Sequence, residues 1–592
     1  MVEIENEVVF DLEAAGLAYW SKFHCLSYQI NDESIETIFD YNKAVKFITD
    51  LWQDQTVALI GHNIITYDLP YLFYETPHIP FCRSQITDTL LITKVYLPHN
   101  LKHGLETLGN KLSKMGKCPK KVEIADHEWA IGDRELMRQR CETDVKISRA
   151  VWDMCKTKPF QKWYQIEALW APYIVESLAL GIPISIKELL HVRPGLQQNV
   201  DDIQARYPFK IGSPKQWDVY IYKKYGKKLP QTKKGNPSLN KNNRHIVEAQ
   251  FPELVDHFTH KDNAKILSFI DHTDPKKDKK KNYIYKHLKV NPHTKQLHIH
   301  SDLKYYGTRT LRAAYSSPCV NQFPKETAIR AAVKFNRREY RILGMDVDQL
   351  ELAWLGYLLK EFGNDTVWKE KEAGLCPKKL SIEALGPELL RMYGTADGSL
   401  LSVEELNKIS RVREMAKRWN YATIYEQTLG GACDMLLLPQ DDYHISAMSR
   451  AVEMRFPALQ DYKEYLESKV VKGVIRNAYG HEVLAVKRSF GSDGDDDRQT
   501  VLNTMMQSSG AAYTRVLFSC ILNQLKGLSK DIYAAVYNHD ELQCRVPADI
   551  SLDVIDGVIG LAYADFKALN IAGIPLITGV NTTLGRSWNE TH

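Results

Sequence analysis

At 592 residues the chain is too long for a single compact core, so several domains are expected. Its 44% apolar and 25% charged residues exclude a disordered chain, and no apolar run approaches the ~18 residues that a membrane span needs. The net charge of +4 announces no polyanionic partner by itself, and ten cysteines without a CxxC pair argue against a zinc site or disulfide framework, so a reducing cytoplasm is expected.

The N-terminus, "MVEIENEVVFDLE", is acidic and then strand-like, which fits neither a signal nor a transit peptide. Residues 1–160 alternate β-prone runs ("EVVFDLE", "VALIGHN") with helical ones ("HGLETLGNKLSKM"), an α/β pattern. Asp11 and Glu13 lie two apart in the first strand and therefore leave the same face. A solvated strand edge explains a lone DxE pair equally well; further carboxylates make a site for hard divalent cations the better reading. Those come from "LIGHNIITYDLPYL", with Asn63 and Asp68, and from "CETDVKISRAVWDM", with Asp144 expected in the first turn or two of a helix.

Residues 161–300 read as helical and basic. Lysines interleaved with tyrosines concentrate at 222–236 and 275–289; such stretches track phosphate backbones, although a solvated loop is the commoner meaning of a lysine run. Within 301–360, "YRILGMDVDQLELAWLGYLL" passes from strand to helix with Asp346 at the transition and Glu351 five residues on. Residues 361–485 are dominated by helical periodicity, and Arg413, Lys417, Tyr421 and Tyr425 recur every four residues along one face. Two cations followed by two aromatics suit a triphosphate at one end and a base at the other. In 486–592, "GSDGDDD" reads as a flexible acidic loop, and "YNHDELQ" as a hairpin tip carrying His539, Asp540 and Glu541 between two apolar runs.

Together these segments resemble DNA polymerase family A, the bacterial polymerase I type, and most of all the replicative enzymes of podovirus-type phages. In that resemblance Asp346 matches the motif A aspartate and Asp540, with His539 and Glu541, matches motif C. Glu351 matches the glutamate that screens against a ribose 2′-hydroxyl, and Arg413, Lys417 and Tyr421 match the residues that bind the incoming nucleotide. "TLRAAYSSPCVNQFP" puts Arg312 in a primer-contacting position, and "LNTMMQSSGAAYTR" puts Asn503 and Gln507, like Tyr425, against DNA. The front segment resembles proofreading 3′–5′ exonucleases, which implies Asp11, Glu13, Asp68 and Asp144 as metal ligands.

The fold implied is a multidomain α/β one: an RNase H-like exonuclease domain (1–160), then a right hand with thumb (161–300), first palm part (301–360), fingers (361–485) and second palm part (486–592). The activity implied is primer extension from dNTPs on a DNA template, with two Mg²⁺ per active site and Mn²⁺ as a substitute, by a monomeric enzyme of phage genome replication in a host cytoplasm. Two departures count. Arg140 and Gln139 stand where the family places the Tyr or His that orients the attacking water, which puts the strength of the exonuclease in question. The chain between Asp144 and Arg312 leaves no room for the thumb insertion that recruits thioredoxin, so thioredoxin binding is not expected and the lysine-rich segments are expected to grip DNA instead. A polymerase with a degenerate exonuclease and a nucleic-acid-binding scaffold without chemistry are the alternatives; a single-subunit RNA polymerase is disfavoured by Glu351 and the proofreading segment.

Overall fold

In the computed structural model of the chain, the described residues are 3–591 except 77, 99–101, 157–160, 233–234, 241–243, 271–283, 293, 326, 337, 395–398, 437 and 486–500. The acidic 491–497 segment and most of the lysine run at 275–289 therefore lie outside them.

The front of the chain builds a five-stranded sheet from β1 (Asn6–Ala14), β2 (Phe23–Ile30), β3 (Glu36–Ile38), β4 (Val57–Gly61) and β5 (Gln85–Asp88), in the order β3-β2-β1-β4-β5. β1 pairs antiparallel with β2 and parallel with β4, so it sits at the centre. That position explains its sequence: Val8, Val9 and Phe10 are fully buried. β4, "VALIG", is buried at every residue, the continuous apolar run expected of a parallel strand covered on both sides. A short helix α1 (Asp68–Phe73) follows β4. The long helix α2 (Arg134–Cys155) lies across β1 and β2. Its start corrects the sequence expectation: Asp133 caps it by accepting from the Leu136 N–H, and the preceding Gly132 is left-handed (φ 67°). Asp144 is thus mid-helix rather than in its first turns, and Gln139 and Arg140 belong to the same helix.

Helix α3 (Gln161–Leu180) leads out of this layer. Helices between 186 and 270 close over their own small core of Ile203, Ile211, Trp217, Ile221, Phe251 and Phe258. A second sheet then forms from β6 (Tyr340–Val347), with α4 (Leu350–Glu361) following it. Gln349, left-handed at φ 47°, turns the chain from strand to helix. Helix α5 (Ser410–Ile424) belongs to a separate helical cluster with its own core, including Ile382, Val412, Trp419 and Met448. Helix α6 (Val501–Leu528) is buried nearly all round, small polar residues such as Thr504, Ser508 and Thr514 lying among its apolar ones. After it come β7 (Tyr533–Asn538), β8 (Glu541–Pro547) and β9 (Val580–Gly585).

The second sheet has the order β7-β8-β6-β9, with every neighbouring pair antiparallel. The β7–β8 hairpin turns on His539 and Asp540 alone, since Asn538 already pairs with Glu541. Glu541 is therefore not at the tip: it is a buried strand residue bonded by Gln543 Nε2 and the Trp588 indole. α3 and α6 are tied together by a buried charge cluster, in which Glu167 accepts from Tyr305, Tyr306 and Arg515 and faces His481.

Candidate functional site

Sheet register brings the second carboxylate set together. Asp346, near the end of β6, pairs with Glu541 of β8 on one side and Asn581 of β9 on the other. The next residue's N–H, that of Val347, donates to the Asp540 carbonyl at 2.9 Å, so Asp346 and Asp540 come together at one end of the sheet's central strands. His539 is left-handed (φ 65°), a conformation that a non-glycine residue holds only when its surroundings fix it. Burial, with Glu351 and Asp346 nearby, pushes the Asp540 carboxyl up to about 6. Burial and then the Arg312 charge bring the His539 imidazole down to about 4, so this histidine is neutral at pH 7.

These residues border a cavity of about 540 Å³. Its opposite wall is α5, which presents Arg413, Lys417 and Tyr421 to it. Arg413 is steadied by Asn407 and by the Cys376 sulfur. The Tyr421 and Tyr425 rings stack, with centroids 6.4 Å apart, although the helix ends at Ile424 and Tyr425 is its cap. Burial, then Glu351 and Asp540, raise the Tyr421 phenol to about 12. Glu351 is held twice on the same oxygen, by the Tyr425 hydroxyl at 2.8 Å and Arg312 Nη2 at 3.1 Å. Gln507 accepts from Thr310 at 3.0 Å, while Asn503 Oδ1 is buried without a hydrogen-bond partner among the described residues. Lys325, Lys378 and Asn420 also line the cavity and had no signal in the sequence beyond being polar.

The first carboxylate set gathers where β1 meets α2. Ligand oxygens of Asp11, Glu13 and Asp144 lie within 4.8 Å of one another. Asp68 opens α1, buried, and stays outside that trio while still acting on Asp11 and Glu13 by charge. Burial and mutual repulsion push Asp11 upward and take Glu13 to about 7. Asn63 is left-handed (φ 70°) and donates its N–H to Asp88, a buried carboxylate that caps this turn and the helix after it. Two cations enter the cluster. Arg140 Nε reaches Glu13 at 3.1 Å and Asp144 at 3.3 Å, and its Nη1 donates to the Val122 carbonyl. Lys121 Nζ lies 2.7 Å from Asp144. Lys121 is the residue that sequence reasoning missed, because it sits in irregular chain, "CPKKVE", with no periodicity to place it. The donor set fits one divalent ion coordinated by three carboxylates.

Of the basic segment at 222–236, residues 222–228 are exposed, and Lys224 is engaged by Glu253. Among the described residues no helix is long and apolar enough to cross a membrane.

No protein-family model and no curated protein matches the chain. Its three-dimensional arrangement does have a counterpart: the fold is that of a family A, Pol I-type polymerase domain. Among the matching solved structures is the POL domain of Pol1 from M. smegmatis in complex with DNA primer-template and dNTP, with a TM-score of 0.70, 14% identity and coverage of 99% of this chain and 96% of that one. At that identity the likeness establishes the fold.

Proposed function

We propose that the chain is a template-directed DNA polymerase that extends a primer 3′ end with dNTPs, joined to a 3′–5′ exonuclease domain, and that it serves phage genome replication. The observation that carries this reading is the cavity of about 540 Å³ with Asp346 and Asp540 on one wall and Arg413, Lys417 and Tyr421 on the other. The shared fold with a polymerase domain solved with primer-template and dNTP supports it. In this reading the front sheet is the exonuclease, residues 161–300 the thumb, 361–485 the fingers, and the segments on either side of the fingers the palm.

Asp346 and Asp540 would hold the catalytic cations. Mg²⁺, or Mn²⁺ in its place, supplies Lewis acidity when bound there, lowering the pKa of the primer hydroxyl and neutralising triphosphate charge. Arg413 and Lys417 would grip the phosphates and stabilise the leaving pyrophosphate, since both line the cavity opposite the two aspartates. Tyr421 would pack against the base. Glu351, tied down by Tyr425 and Arg312, would occupy the space that a 2′-hydroxyl needs. Arg312, Asn503, Gln507 and Tyr425 would face the primer–template duplex.

A labelled primer–template incubated with Mg²⁺, with and without dNTPs, tests both halves. Extension should vanish in Asp540→Ala and degradation in Asp11→Ala, each without the other. A wild-type chain that extends nothing would overturn the polymerase reading.

A further inference from the structure

The front carboxylates bring their own positive charge. Asp11, Glu13 and Asp144 converge, with Asp68 acting on them by charge, and Lys121 and Arg140 both stand against Asp144 Oδ2, Arg140 also against Glu13 Oε1. The two cations differ in how they are held. Arg140, its side chain 14% exposed, is fixed from three sides by Glu13, Asp144 and the Val122 carbonyl. Lys121, 16% exposed, reaches the cluster from an irregular segment, and its ion pair is with Asp144. Meanwhile Asp144 Oδ1 is buried and has no hydrogen-bond partner among the described residues, which leaves a lone-pair site open on the side away from the cations.

We infer that the front cluster holds a single divalent ion, coordinated by Asp11, Glu13 and Asp144, and that Arg140 and Lys121 supply the charge of the second ion that the family resemblance implies. Charge balance favours this. Once metal binding has displaced their protons, four carboxylates facing Arg140 and Lys121 leave a deficit that one divalent ion cancels. A second ion would put the site in positive excess and would have to displace a guanidinium that Glu13, Asp144 and a backbone carbonyl hold together. Arg140 acts here as a positioning residue, since its contacts are to the carboxylates. The inference rests on reading the front cluster as a metal-binding exonuclease centre.

The test is a metal count without DNA. The full chain carrying Asp346→Asn and Asp540→Asn, to silence the palm, is titrated with Mn²⁺ by calorimetry and by the loss of free-ion paramagnetic signal. Ions lost on adding Asp11→Ala are the front-site ions. One such ion is expected, and Arg140→Gln with Lys121→Gln should raise the count to two or tighten the first by at least tenfold. Two front-site ions in the parent, or none, would overturn the inference, as would a double variant that binds one ion with unchanged affinity. Should the double variant misfold, the parent's count and Lys121→Gln alone still decide. A chain that binds one ion yet degrades no primer would defeat the exonuclease reading and leave the count standing.

Discussion

Tyr425→Phe removes one hydroxyl and should be read in sugar selection. The Tyr425 hydroxyl donates to Glu351 Oε1 at 2.8 Å and Arg312 donates to the same oxygen at 3.1 Å. A hydrogen bond to a charged group contributes about 1.5–3 kcal/mol, so the two together resist displacement of the carboxylate by roughly 3–6 kcal/mol. If Glu351 excludes a 2′-hydroxyl by standing in its way, that resistance is the ceiling on discrimination, because a ribonucleotide can enter by pushing the carboxylate aside. Losing one of the two bonds lowers the ceiling by a factor of roughly 10–150. Single-nucleotide incorporation should therefore show rNTP kcat/KM rising by about that factor in Tyr425→Phe, with dNTP kcat/KM within severalfold of wild type. Glu351→Ala should relax selection further. Unchanged rNTP discrimination in both variants would refute the assignment of Glu351 as the sugar screen.

Asp540, raised to about 6 by burial and by its carboxylate neighbours, is mostly ionised at pH 7 and must shed its remaining proton to bind a cation at lower pH. Calorimetry in buffers of different ionisation enthalpy should find the wild type releasing about half a proton more than Asp540→Asn on Mg²⁺ binding at pH 6 and about the same number at pH 8, the front carboxylates contributing equally to both. Burial pushes Glu167 up, but Arg515 and the His481 hydrogen bond outweigh it and hold its carboxyl below the usual range. Its contribution is therefore present above the ordinary carboxylate pKa and lost as pH falls through the lowered one. Glu167→Gln strands Arg515 without its counter-charge and should cost about 3–5 kcal/mol in urea unfolding near pH 7. Neutralising Lys223, Lys227 and Lys228, exposed in the helical region, should weaken primer–template binding and flatten its salt dependence; equal affinity would show that this segment does not grip DNA.

What the sequence carried legibly was local. The spacing of Asp11 and Glu13 on one strand face, the four-residue recurrence of Arg413, Lys417 and Tyr421, and the polar step between two apolar runs at 539–540 all follow from strand and helix periods. What it could not carry depends on which segments meet. Asp346 faces Asp540 because β8 pairs with β6 in a sheet whose order skips along the chain. Glu351, Tyr425 and Arg312 form a triangle from three distant segments. The helix begins at the Asp133 cap, earlier than the apolar pattern around Asp144 suggests, which puts Asp144 mid-helix instead of in its first turns. Arg140 was visible as a departure from a family pattern, but its pairing with Glu13, and the whole presence of Lys121, are tertiary facts.

The two acidic sites settle their charge in different ways, and the difference has a consequence for metal dependence. Around Asp346 and Asp540, the Arg312 guanidinium is ion-paired with Glu351 and acts on Asp540 through its charge alone, and among the described residues no cationic side chain forms an ion pair with Asp540. The Asp540 carboxyl stays raised all the same, so binding a cation there relieves repulsion that Arg312 leaves standing. At the front, Arg140 and Lys121 already relieve it. An opposing unit charge about 4 Å away changes the attraction for a further cation by on the order of 1–4 kcal/mol in a partly solvated site, which is at least severalfold in affinity. Extension should accordingly reach half its maximal rate at a lower free Mg²⁺ concentration than degradation does on the same primer–template. Lys121→Gln should bring the two midpoints closer by shifting only the degradation curve. Coincident midpoints in the wild type, or a Lys121→Gln curve that moves extension instead, would show that the front cations do not compete with metal.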